Sequence, residues 1–326
     1  MNFYEGKNVL VTGAGGFIGS HMVDALIEKK ANVYALLKDK ESPTSNIDHI
    51  KNKISILYSN MGSIEECLRI TENIDIVLNF AAKVGGIQYN KKHHGTIITE
   101  NLVPFLNLLE ASRIKNVERF LTISSACVYP KNSQIPLIEE EGLQREPEEA
   151  HKGYGWAKRI KEIASMHYQE ESGIKIAIVR LSNVYGPRCN FDPESSNVIP
   201  GIIRRMHEGE NPFTVWGGGQ QTRSFMYVTD TCKSLLELTE KKADANPINL
   251  GSNNEITIID LIKTIAIILN KENLEYIIDE SKPKGLLRSV ADISRAKMII
   301  DYSHMTPLEE GLKRTVDYYL SNIAKK

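Results

Sequence analysis

Uninterrupted apolar runs alternate, along the first half of the chain, with stretches in which apolar residues recur every three or four positions. The runs are NVLVTG, NVYALL, ISILY, DIVLNFA, RFLTISS and IKIAIVRLS. Such runs suit strands covered on both faces, while the intervening periodicity predicts helices over Phe17–Lys29, near Ile97–Ser112 and near Tyr154–Glu171. Strand and helix in alternation give right-handed crossovers, so the expected fold is α/β, a doubly wound parallel sheet. Past Val184 the rhythm changes. Gly, Pro and polar residues thicken in GPRCNFDPESSNVIPG, which marks a smaller second lobe. The expected division is 1–184 and 185–326, with RSFMYVTD and PINLGS returning to the first sheet near 224–252.

The first turn narrows the picture. Strand residues Asn8 to Val11 lead into Thr12-Gly13-Ala14-Gly15-Gly16-Phe17-Ile18-Gly19 and then a helix. Gly13 permits the tight turn, Gly16 lets backbone approach a pyrophosphate, and Gly19 lets helix and strand lie close. The helix N-terminus, entered through Phe17 and Ile18, then faces the phosphates. This is the Rossmann-type context for a dinucleotide. The second strand ends Leu37-Lys38-Asp39-Lys40, with Leu37 where an acid would hydrogen-bond a ribose 2′-hydroxyl. Lys38 and Lys40 suit a 2′-phosphate, so the expected cofactor is NAD(P), leaning to NADP.

Composition excludes several partners. Lys plus Arg total 40 against 41 for Asp plus Glu, a net charge of -1 that argues against nucleic acid or an anionic membrane surface. No apolar run approaches 18 residues and the N-terminus has no leader pattern, so a cytoplasmic enzyme is expected. Cys67, Cys127, Cys189 and Cys232 are scattered without metal-ligand spacing, so no metal site is expected.

Tyr154 and Lys158 stand four apart in a helical stretch, which puts them on one face about 5–6 Å apart. An ammonium at that distance favours the phenolate by roughly 3 kcal/mol at an effective dielectric of about 20, on the order of two pKa units. Ser125, closing the run RFLTISS, is placed to hydrogen-bond the same substrate oxygen.

With TGAGGFIG, NFAAKVGG, ISSACVYP, YGWAK, RLSNVYGP and TRSFMYVTD in this order, the chain resembles the extended short-chain dehydrogenase/reductase family nearly end to end. The resemblance is closest to its GDP-fucose synthase and GDP-mannose 3,5-epimerase branches. It implies hydride exchange between nicotinamide and a sugar carbon, usually C4, on a nucleotide-diphosphate sugar, in a homodimer. Tyr154 would be acid and base, Lys158 would hold the nicotinamide ribose, and Ser125 would orient the oxygen. Ala81, Ala82 and Lys83 would lie along the cofactor, Val84 and Gly85 along the sugar. Asn183, Asn197 and Val198 would contact the hexose, while Arg223 and Arg288 would grip the diphosphate. Asn60-Met61 stands where the family often has an acid near the adenine.

Members that dehydrate the sugar tend to carry an acid just after the serine, and this chain has Ala126-Cys127. Beside a C4 ketone, protons at C3 and C5 become acidic, and a thiolate at Cys127 suits their removal. The fucose synthase-like segment carries a His where this chain has Asn197, and an amide cannot serve as the acid. Cys189 and His207 stand as alternatives. His93 and His94 read as surface residues. Three functions stay open: a nucleotide-sugar epimerase, an NADPH-dependent reductase of a 4-keto sugar, and a non-catalytic NAD(P)-binding regulator.

Overall fold

The computed structural model describes residues 2–84, 92–281, 286–302 and 305–324. Its centre is a parallel sheet whose first six strands are β1 (Asn8–Thr12), β2 (Asn32–Leu37), β3 (Ser55–Tyr58), β4 (Ile76–Asn79), β5 (Arg119–Ser125) and β6 (Lys175–Leu181). Each side chain along β1 meets a different core from its neighbour. Val9 and Val11 pack with Met22 and Leu26 of α1 (Phe17–Glu28), whereas Leu10 packs with Ile70 of α2 (Ile64–Ile70) and Leu108 of α3 (His94–Ile114). Apolar residues are therefore needed at every position, which is why the strands read as unbroken runs. The fourth long element, α4 (Lys152–Ser172), packs beside α3.

The second half departs from expectation in one strand. After β7 (Asn183–Tyr185), α5 (Val198–His207) and β8 (Phe213–Trp216), strand β9 (Thr222–Tyr227) joins a small separate sheet rather than the main one. It pairs with β7, with β11 (Glu255–Thr257) and with β12 (Arg288–Ser289). Only β10 (Pro247–Leu250) returns, pairing in parallel with β6 at the edge of the seven-stranded sheet. Helix α6 (Val228–Lys241) follows β9 and lies against α1, so the two lobes are tied by β9, α6 and β10. The second lobe has its own core, in which Ile199 and Ile203 of α5 pack with Leu261 and Ile265 of α7 (Ile258–Ile268) and Leu312 of α9 (Leu308–Asn322). Helix α8 (Ser294–Lys297) lies near β10. Among the described residues no helix is long and apolar enough to cross a membrane.

The strand order β10-β6-β5-β4-β1-β2-β3 reverses between β4 and β1, which opens a crevice at their carboxyl ends. Thr12 Oγ1 donates to Asn79 Oδ1 at 2.7 Å and accepts from Ala81 N at 3.0 Å, fastening the two sides of that crevice.

Behind the far end of β5 lies a buried charged network. Arg180 of β6 donates through Nε and Nη2 to the two oxygens of Glu162 at 2.9 and 2.7 Å, and through Nη1 to the Tyr129 hydroxyl at 3.0 Å. Ser124 donates to the same Glu162 carboxylate. Both charges are inaccessible, so removing one strands the other without water. Glu162→Ala is expected to lower unfolding free energy by about 3–5 kcal/mol, read from denaturant midpoints. An unchanged midpoint would show that the network adds nothing to stability.

Candidate active site

The glycine turn is sterically required. Gly13 has φ +64°, and a Cβ there would sit 3.1 Å from the Ala81 amide nitrogen. A Cβ on Gly19 would lie 2.2 Å from the Gly13 carbonyl oxygen, so helix α1 reaches its position against β1 only with glycine. Gly16 is the N-cap of α1 without any capping side chain, and no acid stands in the first turn. The N–H groups opened by Phe17, Ile18 and Gly19 thus face the crevice mouth with a favourable dipole, which fits a dinucleotide diphosphate.

At the end of β2, Lys38, Asp39 and Lys40 are exposed. The Asp39 carboxylate is occupied locally, accepting from Ser42 Oγ at 2.8 Å and Glu41 N at 3.1 Å. Neither lysine has a carboxylate partner among the described residues. Asn60 is exposed, but Met61 departs from expectation. At φ 56° the backbone turns the methionine into the core beside Leu36 and Phe105, and its carbonyl accepts from Asn107 Nδ2. Ala82, Lys83 and Val84 are exposed on the loop after β4, with Ala81 partly covered. The buried Asn101 of α3 clamps that loop, its Oδ1 accepting from Lys83 N at 3.2 Å and its Nδ2 donating to Lys83 O at 3.0 Å. Gly85 lies outside the described residues.

Ser125, Cys127, Tyr154 and Lys158 converge where β5 meets the first turns of α4. Lys158 donates to the Ile123 carbonyl at 2.7 Å, and its Nζ lies 5.2 Å from the Tyr154 ring centre. Ser125 Oγ accepts from Cys127 N at 3.2 Å, which holds a short 3-10 turn over Ala126–Val128. Gly155 makes the approach possible, since a Cβ there would stand 2.5 Å from the Cys127 carbonyl oxygen and 2.6 Å from Pro147 Cβ.

The electrostatics reverse the expected sign at Tyr154. Burial pushes the phenol up, and the Cys127 thiol adds to this. Burial also lowers Lys158 to about 8, against smaller opposing effects of Cys127 and Glu162. A lysine that releases its proton near pH 8 carries no charge at the pH where the phenol ionises, so it cannot pull the phenolate down in the ligand-free pocket. Below pH 8 the pair is phenol and ammonium, a state suited to donating a proton. The Cys127 thiol is likewise pushed up, mainly by burial and further by the Glu148 carboxylate, against the lowering effects of Ser125 and Lys158.

On the open side of this cluster, Arg223 of β9 donates from Nη1 to the carbonyls of Thr222 and Leu286, and the Glu148 carboxylate acts on its charge. Arg288 is placed differently. It stands opposite Thr222 in the parallel ladder, one residue out of step with Arg223, and its exposed guanidinium is paired with Glu255 at 2.6 Å. Asn183 is exposed at the start of β7 and donates to the Ser224 carbonyl at 3.0 Å. Asn197 and Val198 are exposed at the N-terminus of α5. Cys189 and His207 are not brought to this cluster. They line a separate cleft of about 1050 Å³ with Phe191, Arg204 and Tyr319, where burial pushes the Cys189 thiol up to about 12. His93 is exposed, but His94 is partly covered, its Nδ1 accepting from Gly153 N at 3.4 Å. Glu148 and His151, absent from the sequence-based site, stand beside it with Nδ1 3.8 Å from Oε2. The spacing of His151 three residues ahead of Tyr154 was the available signal.

These features agree with similarity to known proteins. The profile of the NAD dependent epimerase/dehydratase family matches residues 9–251, and the chain belongs to that family. It is 30% identical to GDP-mannose 3,5-epimerase 1 of Oryza sativa subsp. indica, over 99% of this chain and 84% of that protein. It is also 30% identical to GDP-L-fucose synthase of Sinorhizobium fredii over 99% of each. The solved UDP-glucose 4-epimerase of Thermotoga maritima, with UDP-glucose, superposes with a TM-score of 0.85 at 28% identity, covering 96% of this chain and 99% of the other. The chain is thus an enzyme that binds NAD(P), whose nicotinamide supplies hydride exchange when present.

The burial of Lys158 is directly measurable. In ligand-free protein labelled at the lysine side chains, the resonance lost on Lys158→Met is expected to titrate near pH 8. A midpoint in the ordinary lysine range, about 10.4, would contradict the desolvated site.

Proposed function

We propose that the protein epimerises a nucleotide sugar, a GDP-linked hexose, through a 4-keto intermediate. The reading is carried by one observation, the convergence of Ser125, Cys127, Tyr154 and Lys158 at the carboxyl end of β5. Relatives named for GDP-sugars support the choice of base. Tyr154 moves the proton of the C4 oxygen, Ser125 orients that oxygen, and Lys158 holds the nicotinamide ribose. Cys127 serves proton transfer at the neighbouring carbons. Gly13, Gly16 and Gly19 seat the diphosphate of the cofactor, and the exposed residues Asn60, Ala82 and Lys83 border it. Arg223, free of any carboxylate contact among the described residues, takes the sugar-nucleotide diphosphate, while Arg288 stays tied to Glu255 at the margin. Val84, Asn183, Asn197 and Val198 border the hexose. Residues 1–184 then serve the cofactor and 185–326 the sugar nucleotide, with β10 contributing to the first unit.

Lys38 and Lys40, without a carboxylate partner among the described residues, favour NADP, and they also favour a second reading, reduction of a 4-keto sugar. A relative named dTDP-4-dehydro-6-deoxy-D-allose reductase, 30% identical over 97% of both chains, belongs with that reading. Four free cysteines suit the cytoplasm. A homodimer is supported by the exposed Val103 and Leu106 of α3 and Ile163 of α4, apolar residues that a second copy would cover.

Tyr154→Phe keeps the ring and removes the hydroxyl, so turnover is expected to fall at least ~100-fold while cofactor affinity, by fluorescence titration, stays near native. Near-native turnover would remove Tyr154 from the chemistry. Replacing Lys38 and Lys40 together by Ala should weaken NADP far more than NAD in the same titration, because only NADP carries the 2′-phosphate. Equal weakening would overturn the preference.

A further inference from the structure

Epimerisation beside a ketone needs two proton-transfer groups, one for each face of the sugar ring. Cys127 supplies one. Asn197, where the resemblance implies a histidine, is an exposed amide at the start of α5 that cannot transfer a proton in the required range. The structure offers another imidazole at the same cluster. His151 is the N-cap of α4, three residues before Tyr154 on the helix that carries the reacting phenol. Its Nδ1 faces Glu148 Oε2 at 3.8 Å, which leaves Nε2 for a second partner. Both side chains are about one-quarter exposed, 28% and 26%, and so are open to a ligand. Gly155 of the same helix lies against both the Cys127 carbonyl and Pro147, the neighbour of Glu148, and the Glu148 charge acts on the Cys127 thiol.

We propose, on the reading that the protein acts on a 4-keto sugar, that the Glu148–His151 pair is the second proton-transfer group, with His151 as base and Cys127 as acid. The C–H bond at C3 or C5 breaks and its electron pair enters the enolate at C4. The proton passes to the His151 imidazole. A new C–H bond then forms on the opposite face with the proton of the Cys127 thiol. The resulting imidazolium and thiolate exchange protons with water, so nothing is oxidised or reduced overall. Glu148 orients the imidazole and stabilises its charged form, as a carboxylate does behind a catalytic histidine.

The electrostatics agree with this division. The thiol is held in its protonated form, mainly by burial and then by the Glu148 charge. The Glu148 carboxyl is held below its usual range by the neighbouring His151 in the first place, against burial, with Lys131 and Arg223 contributing charge. In this assignment Cys127 is the acid, where the sequence reading has its thiolate as the base.

The test uses full-length enzyme with a GDP-linked 4-keto-6-deoxyhexose in deuterated water, without reduced cofactor, following each ring proton by NMR. Native enzyme should incorporate deuterium at C3 or C5. His151→Asn should slow that exchange at least about 100-fold, and Glu148→Gln about tenfold, while the thermal unfolding midpoint and the affinity for cofactor, read by fluorescence titration, stay near native. Retained folding and cofactor affinity show that the loss is one of proton transfer. Native-rate exchange in His151→Asn would overturn the assignment while leaving the epimerase reading intact. No exchange by the native enzyme would overturn the epimerase reading itself, and the assignment with it.

Discussion

Close contact between α4 and the carboxyl end of β5 sets the position of every reacting group. The contact is possible because Gly153 and Gly155 present no side chain where His94 and Cys127 carbonyls press against the helix. One turn further on, Lys158 reaches the Ile123 carbonyl, and a turn beyond that Glu162 anchors Arg180. A single helix thereby carries His151 at its start, Tyr154 and Lys158 in its first turns, and a buried ion pair that fixes its far half to β5 and β6. Moving this helix by an ångström would disturb proton transfer at all of these groups together.

Burial is the second consequence of that contact. A helix laid this close excludes water, which raises the phenol and the thiol and lowers the lysine. The ligand-free pocket therefore holds protons on Tyr154 and Cys127, a state suited to donating them. A base is needed elsewhere, and the partly exposed Glu148–His151 pair is placed where charge is still hydrated. Acid and base are separated by depth, with the dry groups donating and the wetter pair accepting.

The parallel sheet was legible because strands covered on both faces must be apolar at every position. The same pattern misplaced β9, since RSFMYV reads alike in either sheet and an apolar run does not name its pairing partner. Tyr154 and Lys158 were legible from helical spacing, but the sign of their interaction was not. That sign depends on the desolvation of Lys158 itself, a property of the packed helix rather than of the pair. Cys189 and His207 looked available because of their closeness to functional segments in sequence, yet they open on another cleft. His151 was marked only by its spacing from Tyr154, while Glu148 lies in an irregular stretch with no periodicity to mark a face, and only the fold brings its charge to act on Cys127.

The central claim is that this cluster exchanges hydride with C4 of a nucleotide sugar. Its most direct test is a single turnover of the oxidised holoenzyme with a GDP-hexose, protiated or deuterated at C4, followed by the fluorescence of reduced nicotinamide. The account predicts that the signal rises and decays within one turnover, and that C4 deuteration slows its rise. Turnover with no transient signal and no C4 isotope effect would contradict it.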